Sequence, residues 1–272
     1  YKRQALTALR NRAIDLIADE GTDDGAAVLA ALVCGWRGAL EVGDAYAAYQ
    51  TSGLAHLVAV SGAHLSIVAG CAAALLRALR VPRRAGAVLQ ASFLLGFLVL
   101  AAAPPSAVRA AVMAFAGMVA FTARRRPAAL SALAVCMIGC IALDPRTALA
   151  VSFALSALST LGIVLFAGLF QAWIAQCFQR APRLTREALS LTAASSLAAA
   201  PLAASLFSQV PVVAPLANVA AAPLFPVVCA GGLAAVLASL AVPAVAPALI
   251  GFASMGTGAL TAVVRALASV PY

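Results

Sequence analysis

The chain is 272 residues long, 64% hydrophobic and only 10% charged, with a mean hydropathy of +1.02. About a quarter of the residues in a soluble domain are charged. This composition therefore excludes a water-facing globular fold and predicts an all-α, polytopic membrane helical bundle of about seven or eight spans.

Residues 1–24 form the one strongly polar stretch. Arg3, Arg10, Asp15 and Asp19 interleave with Leu6, Leu9, Ile14, Leu16 and Ile17, a pattern that predicts an amphipathic helix on the membrane surface or against a neighbouring domain. Residues 25–60 read as re-entrant or interfacial helices. The apolar run from Ala26 to Cys34 is too short to cross a bilayer, and Gly35-Trp36-Arg37-Gly38 stops it, with Glu41 and Asp44 following. Non-helical backbone at membrane depth is stable only when buried in protein or lining a water-filled cavity. Residues 61–272 carry the bundle, with spans expected near 61–79, 83–102, 105–122, 127–143, 147–171, 186–207, 215–240 and 244–268. Prolines such as Pro82, Pro104-Pro105, Pro145, Pro182 and Pro243 punctuate them, as befits turns and first helical positions. Together the three segments read as one domain. The polar start without Met and the apolar end suggest a piece of a longer protein.

The net charge of +9 is a topology signal. Up to Val60 the chain holds five bases and seven acids, and beyond it thirteen bases and two acids. Ten of those bases sit in three clusters: Arg77, Arg80, Arg83, Arg84; Arg124, Arg125, Arg126; and Arg180, Arg183, Arg186. With the spans as drawn, all three clusters fall on one side, which the positive-inside rule makes cytoplasmic. Both ends of the chain are then expected outside the cytoplasm.

Six cysteines, at 34, 71, 136, 140, 177 and 229, form no Cys-x-x-Cys pair. They suggest neither a zinc site nor a disulfide framework, and no metal or cofactor is expected. Cys136 and Cys140 read as small packing residues. Both histidines, His56 and His64, lie within one apolar stretch. Ser61-Gly62 fits a helix start with Ser61 as N-cap, which puts His64 one turn in, on the same face as Ser61. Such helix ends attract anions; a satisfied cap and a buried histidine explain the spacing equally. Arg109, one turn into a span, is costly in a membrane and is expected to face protein or water, or to snorkel to the interface. Asn218 is expected to find a polar partner, and Asp144-Pro145 reads as a turn and cap. Trp36, Tyr46 and Tyr49 are candidate stacking platforms or interfacial anchors.

The runs Gly53-Leu54-Ala55-His56-Leu57 and Val60-Ser61-Gly62-Ala63-His64-Leu65 carry a family likeness. So do Ala103-Pro104-Pro105-Ser106-Ala107-Val108-Arg109-Ala110, Asp144-Pro145, Ser152-Phe153-Ala154-Leu155-Ser156 and Pro215-Leu216-Ala217-Asn218-Val219. In this order and spacing they resemble the competence domain of ComEC-type DNA-uptake channels. Two positions depart from the family pattern: Ala63, where a bulkier aliphatic is usual, and Ala154, where glutamine is common. The resemblance implies a channel that passes single-stranded DNA across the bacterial cytoplasmic membrane during natural transformation. It also implies extracytoplasmic oligonucleotide-binding-fold and nuclease domains in the full protein, and other DNA-uptake machinery as partners. This stretch itself is expected to be non-enzymatic.

A polyanion would stall on dense cationic contacts, so its path should be sparsely basic. The path residues expected on this reading are Arg37 near the mouth, His56, Ser61, Gly62, His64 and Arg109 deeper, and Asn218 as a hydrogen-bonding group. Two other classes remain open. An intramembrane serine hydrolase would use Ser61 and His64, and a small-solute secondary transporter would show an inverted repeat.

Overall fold

The structure, a computed structural model, describes residues 2–122, 129–207 and 213–269. The cluster Arg124, Arg125, Arg126 and the turn around Ser208-Gln209 lie outside the described residues. Within them the chain is all helix, in the order α1 (Lys2–Glu20), α2 (Asp23–Cys34), α3 (Gly38–Val42), α4 (Asp44–Thr51), α5 (Gly62–Ala78), α6 (Arg83–Leu100), α7 (Pro105–Thr122), α8 (Ala129–Leu143), α9 (Val151–Cys177), α10 (Arg183–Phe207), α11 (Ala214–Ala221), α12 (Leu224–Ala241) and α13 (Ala246–Ala268). By length and composition α6, α9, α10, α12 and α13 are able to cross a membrane. Helices α5 and α8 are apolar but shorter, and α7 is apolar over Pro105–Val119.

The expected spans match these helices with one correction. Residues 215–240 are not a single helix. Chain turns at Ala222-Pro223 divide α11 from α12, because a proline lacks the N–H that would continue the ladder and its ring crowds the carbonyl four residues back. The break leaves Asn218 on a short helix of its own.

Helix α2 is the hub. Every residue from Val28 to Cys34 is at most 2% exposed, and a helix that is apolar on all sides belongs in a core. Ala13 and Ile17 of α1 pack on Leu29, Val33 and Ile250, so α1 buries one face against the bundle. At the end of α2, Gly35 adopts φ +62°, and any Cβ there would run into the carbonyl oxygen of Ala101. Only glycine meets both demands. The α2 carbonyl at Cys34 accepts a hydrogen bond from Arg10 Nε at 2.9 Å, a cation placed at the negative end of the helix.

Helix α13 docks on this hub through a polar seam. Thr22 N donates to Ser254 Oγ at 3.2 Å, and Thr257 Oγ1 donates to the Gly25 carbonyl at 2.6 Å. Thr261 Oγ1 donates to the Thr257 carbonyl, so the Tyr49 hydroxyl donates to Thr261 Oγ1 at 3.2 Å. Tyr49 is fully buried and offers no stacking surface. Burial pushes its phenol up to about 12, with Thr261 and Arg265 pulling the other way, so it remains a neutral donor. Gly25 sits where any side chain would strike the Ser254 backbone, and Gly162 does the same for α9 against Ala194 and Ala198 of α10. Small residues at such crossings let helix backbones approach closely, which is how helices associate without a hydrophobic driving force.

Candidate functional site

The ten-residue connection from Ser52 to Ser61 carries the polar groups that the bundle brings together. Ser61 is extended (φ −134°, ψ −179°) and α5 starts at Gly62, so Ser61 is the N-cap as expected. His64, three residues on, reaches back: its Nδ1 accepts from the Ser61 backbone N–H at 3.3 Å and lies 3.3 Å from Ser61 Oγ. This is a capping box in which imidazole replaces the usual Glu or Gln. Because Nδ1 accepts, the neutral ring carries its proton on Nε2. Nε2 is buried without a partner among the described residues, and the ring stands edge-on to Phe225 of α12 at 5.0 Å and 84°.

His56 is the accessible member of the cluster. Its Nδ1 donates to the Gly53 carbonyl at 3.0 Å. The side chain is exposed. Removal of surrounding water is the largest influence on the ring and lowers its pKa, while the Gly53 carbonyl and the Asn218 side chain act in the opposite sense. With its pKa lowered, this ring is uncharged at neutral pH. Asn218 lies near enough to His56 to influence its ring, and His64 is near enough to interact with it electrostatically.

The start of α7 closes the other side. Ser106 Oγ donates to the Val60 carbonyl at 2.9 Å, and Ala110 faces Gly62, whose Cα would place a Cβ 3.4 Å from it. Arg109 leaves the same helix in another direction. It is 4% exposed, with Nη2 donating to Ser156 Oγ of α9 at 2.5 Å and Nη1 3.5 Å from Met113 Sδ. The Cys136 thiol of α8 donates to the Arg109 carbonyl at 3.5 Å. The structure therefore unites His56, Ser61, Gly62, His64 and Asn218, and sets Arg109 apart, on the α8–α9 side of α7. Arg37 stands farther out at the start of α3, paired with Glu41 at 3.5 Å. Both partners are well exposed, and such a pair is worth little.

Sequence reasoning passed over Ser106 and Ser156 as individual groups and missed Phe225. Ser106 and Ser156 had no local signal, since each acts through a residue more than forty positions away. No group of three or more His, Cys, Asp or Glu side chains capable of holding a metal occurs among the described residues.

Residues 32–272 match the family described as competence protein. The chain belongs to the competence protein family. Its place is therefore in DNA uptake during competence, within a membrane. No curated protein and no solved structure matches it. The family match starts inside α2, so α1 lies outside the competence region proper, but Arg10, Ala13 and Ile17 bind it to that region.

Proposed function

We propose that this competence domain conducts single-stranded DNA across the bacterial cytoplasmic membrane during natural transformation, entering by a recess beside the exposed His56. The observation that carries the reading is the placement of His56, exposed on the connection that leads into the α5 cap and within reach of Asn218. A recess lined by neutral hydrogen-bonding groups suits a moving polyanion, because fixed cations would hold phosphates too tightly to release them. Beyond the recess, Ala63, Ser66, Gly70, Ala74 and Arg77 are exposed along one face of α5, a small and neutral stripe ending at the first arginine cluster. In this reading the recess opens outside the cytoplasm, the arginine clusters lie inside, and both ends of the chain are extracytoplasmic. There they would meet oligonucleotide-binding-fold and nuclease domains of the full protein and the rest of the uptake machinery. In this reading Arg109, buried on the α8–α9 side of α7, is not part of the path.

The test is strand import in cells producing the full-length protein with His56→Leu and Asn218→Leu, alone and together. Import should fall at least tenfold in the double variant while the protein remains at its normal level in the membrane. Unchanged import in that background sinks the reading.

Ser61 and His64 do meet, which is the geometry a serine hydrolase requires. Here, however, Nδ1 is shared with a backbone N–H, and Nε2 has no carboxylate to orient it among the described residues. The pair is built as a helix cap.

A further inference from the structure

We propose that Arg109 and Ser156 form a binding site for one small inorganic anion of the halide class, independent of strand conduction. Arg109 is 4% exposed and takes part in none of the ion pairs among the described residues. A guanidinium cannot shed its proton, and a buried charge without a counter-charge is strongly unfavourable. The titratable neighbours facing it are Cys136 and Cys140. Cys136 donates its S–H to the Arg109 carbonyl, so it keeps its proton and supplies no negative charge.

The unpaired atom is specific. Nη1 faces Met113 and Nη2 is taken by Ser156, whereas Nε is buried without a partner. Nε and Nη2 lie on one edge of the guanidinium, the edge that recognises anions side-on. Ser156 Oγ accepts from Nη2, beside the unpaired Nε, and its own hydroxyl proton has no acceptor among the described residues. An anion seated there accepts from Arg109 Nε and from the Ser156 hydroxyl, satisfying both orphaned donors and the charge. The enclosure between α7, α8 and α9 favours a monatomic ion over the phosphodiester of a polymer.

Crystals of the complete membrane protein grown with bromide should show an anomalous peak within hydrogen-bonding distance of Arg109 Nε. No peak there, or a water in its place, overturns the proposal. In detergent, the wild-type thermal midpoint should rise saturably with millimolar chloride against gluconate at constant ionic strength, and Arg109→Gln should lose that rise. An indifferent wild type, or an equal response in the variant, overturns it as well. If Arg109→Gln does not fold, Ser156→Ala keeps the charge and should move the chloride midpoint several-fold higher; an unmoved midpoint counts against the site. Stabilisation by a short oligodeoxynucleotide but not by halide would assign Arg109 to the strand and refute the halide site.

Discussion

Ser106, at the start of α7, donates its hydroxyl to the carbonyl of Val60, the residue just before the α5 cap, at 2.9 Å. This bond ties the starts of α5 and α7 together. Ser106→Ala leaves the buried Val60 carbonyl without that donor, at a cost of about 1 kcal/mol. The thermal midpoint in detergent should fall by a few degrees, and import should fall with it, because the cap loop loses its anchor. Ser106→Thr, which keeps the hydroxyl, should restore both.

His64 is separable into a cap and a ring. His64→Gln rebuilds the ordinary capping box, since its carbonyl oxygen accepts from the Ser61 N–H. His64→Ala removes that acceptor and opens a cavity beside Phe225, for about 2–4 kcal/mol. Thermal melts should rank wild type and Gln well above Ala. Strand import by the Gln variant then reports on the imidazole itself.

Glycine at the helix crossings is a steric requirement. Gly25→Ala presses a methyl group into the Ser254 backbone, and backbone cannot step aside as a flexible side chain can. Destabilisation of roughly 2–4 kcal/mol is expected. Gly70→Ala, in the interior of α5 with nothing within 4 Å of its Cβ, should instead raise the melt slightly, because alanine is the better helix former by about 0.5–1 kcal/mol.

Arg10→Ala tests whether α1 belongs to the folded unit. The Cys34 carbonyl loses its cationic partner, worth about 1–2 kcal/mol at a partly buried helix end. Limited proteolysis of the solubilised protein should then release α1 sooner than in wild type. Equal release rates would show that the apolar contacts of Ala13 and Ile17 hold α1 without the cap.

The membrane class, most helix boundaries, the Ser61 cap and the family were legible in the chain order alone. They depend on local quantities: apolar run length, proline and glycine positions, and the spacing of short motifs. The Asp144 turn belongs here too, its side chain accepting from Arg146 N at 3.0 Å. The role of α2 was not legible. Nine apolar residues, Ala26 to Cys34, too short for a span, look alike whether they lie at an interface or, as here, at the centre of the bundle, because burial is set by what packs around them. The fates of His56 and Arg109 were likewise decided by distant partners, Asn218 and Ser156. Polar residues within an apolar sequence announce that a partner must exist, since an unpaired polar group in a membrane is costly. Which partner it is, and on which face of the helix, only the tertiary arrangement decides, and it put the two histidines and Arg109 in different surroundings.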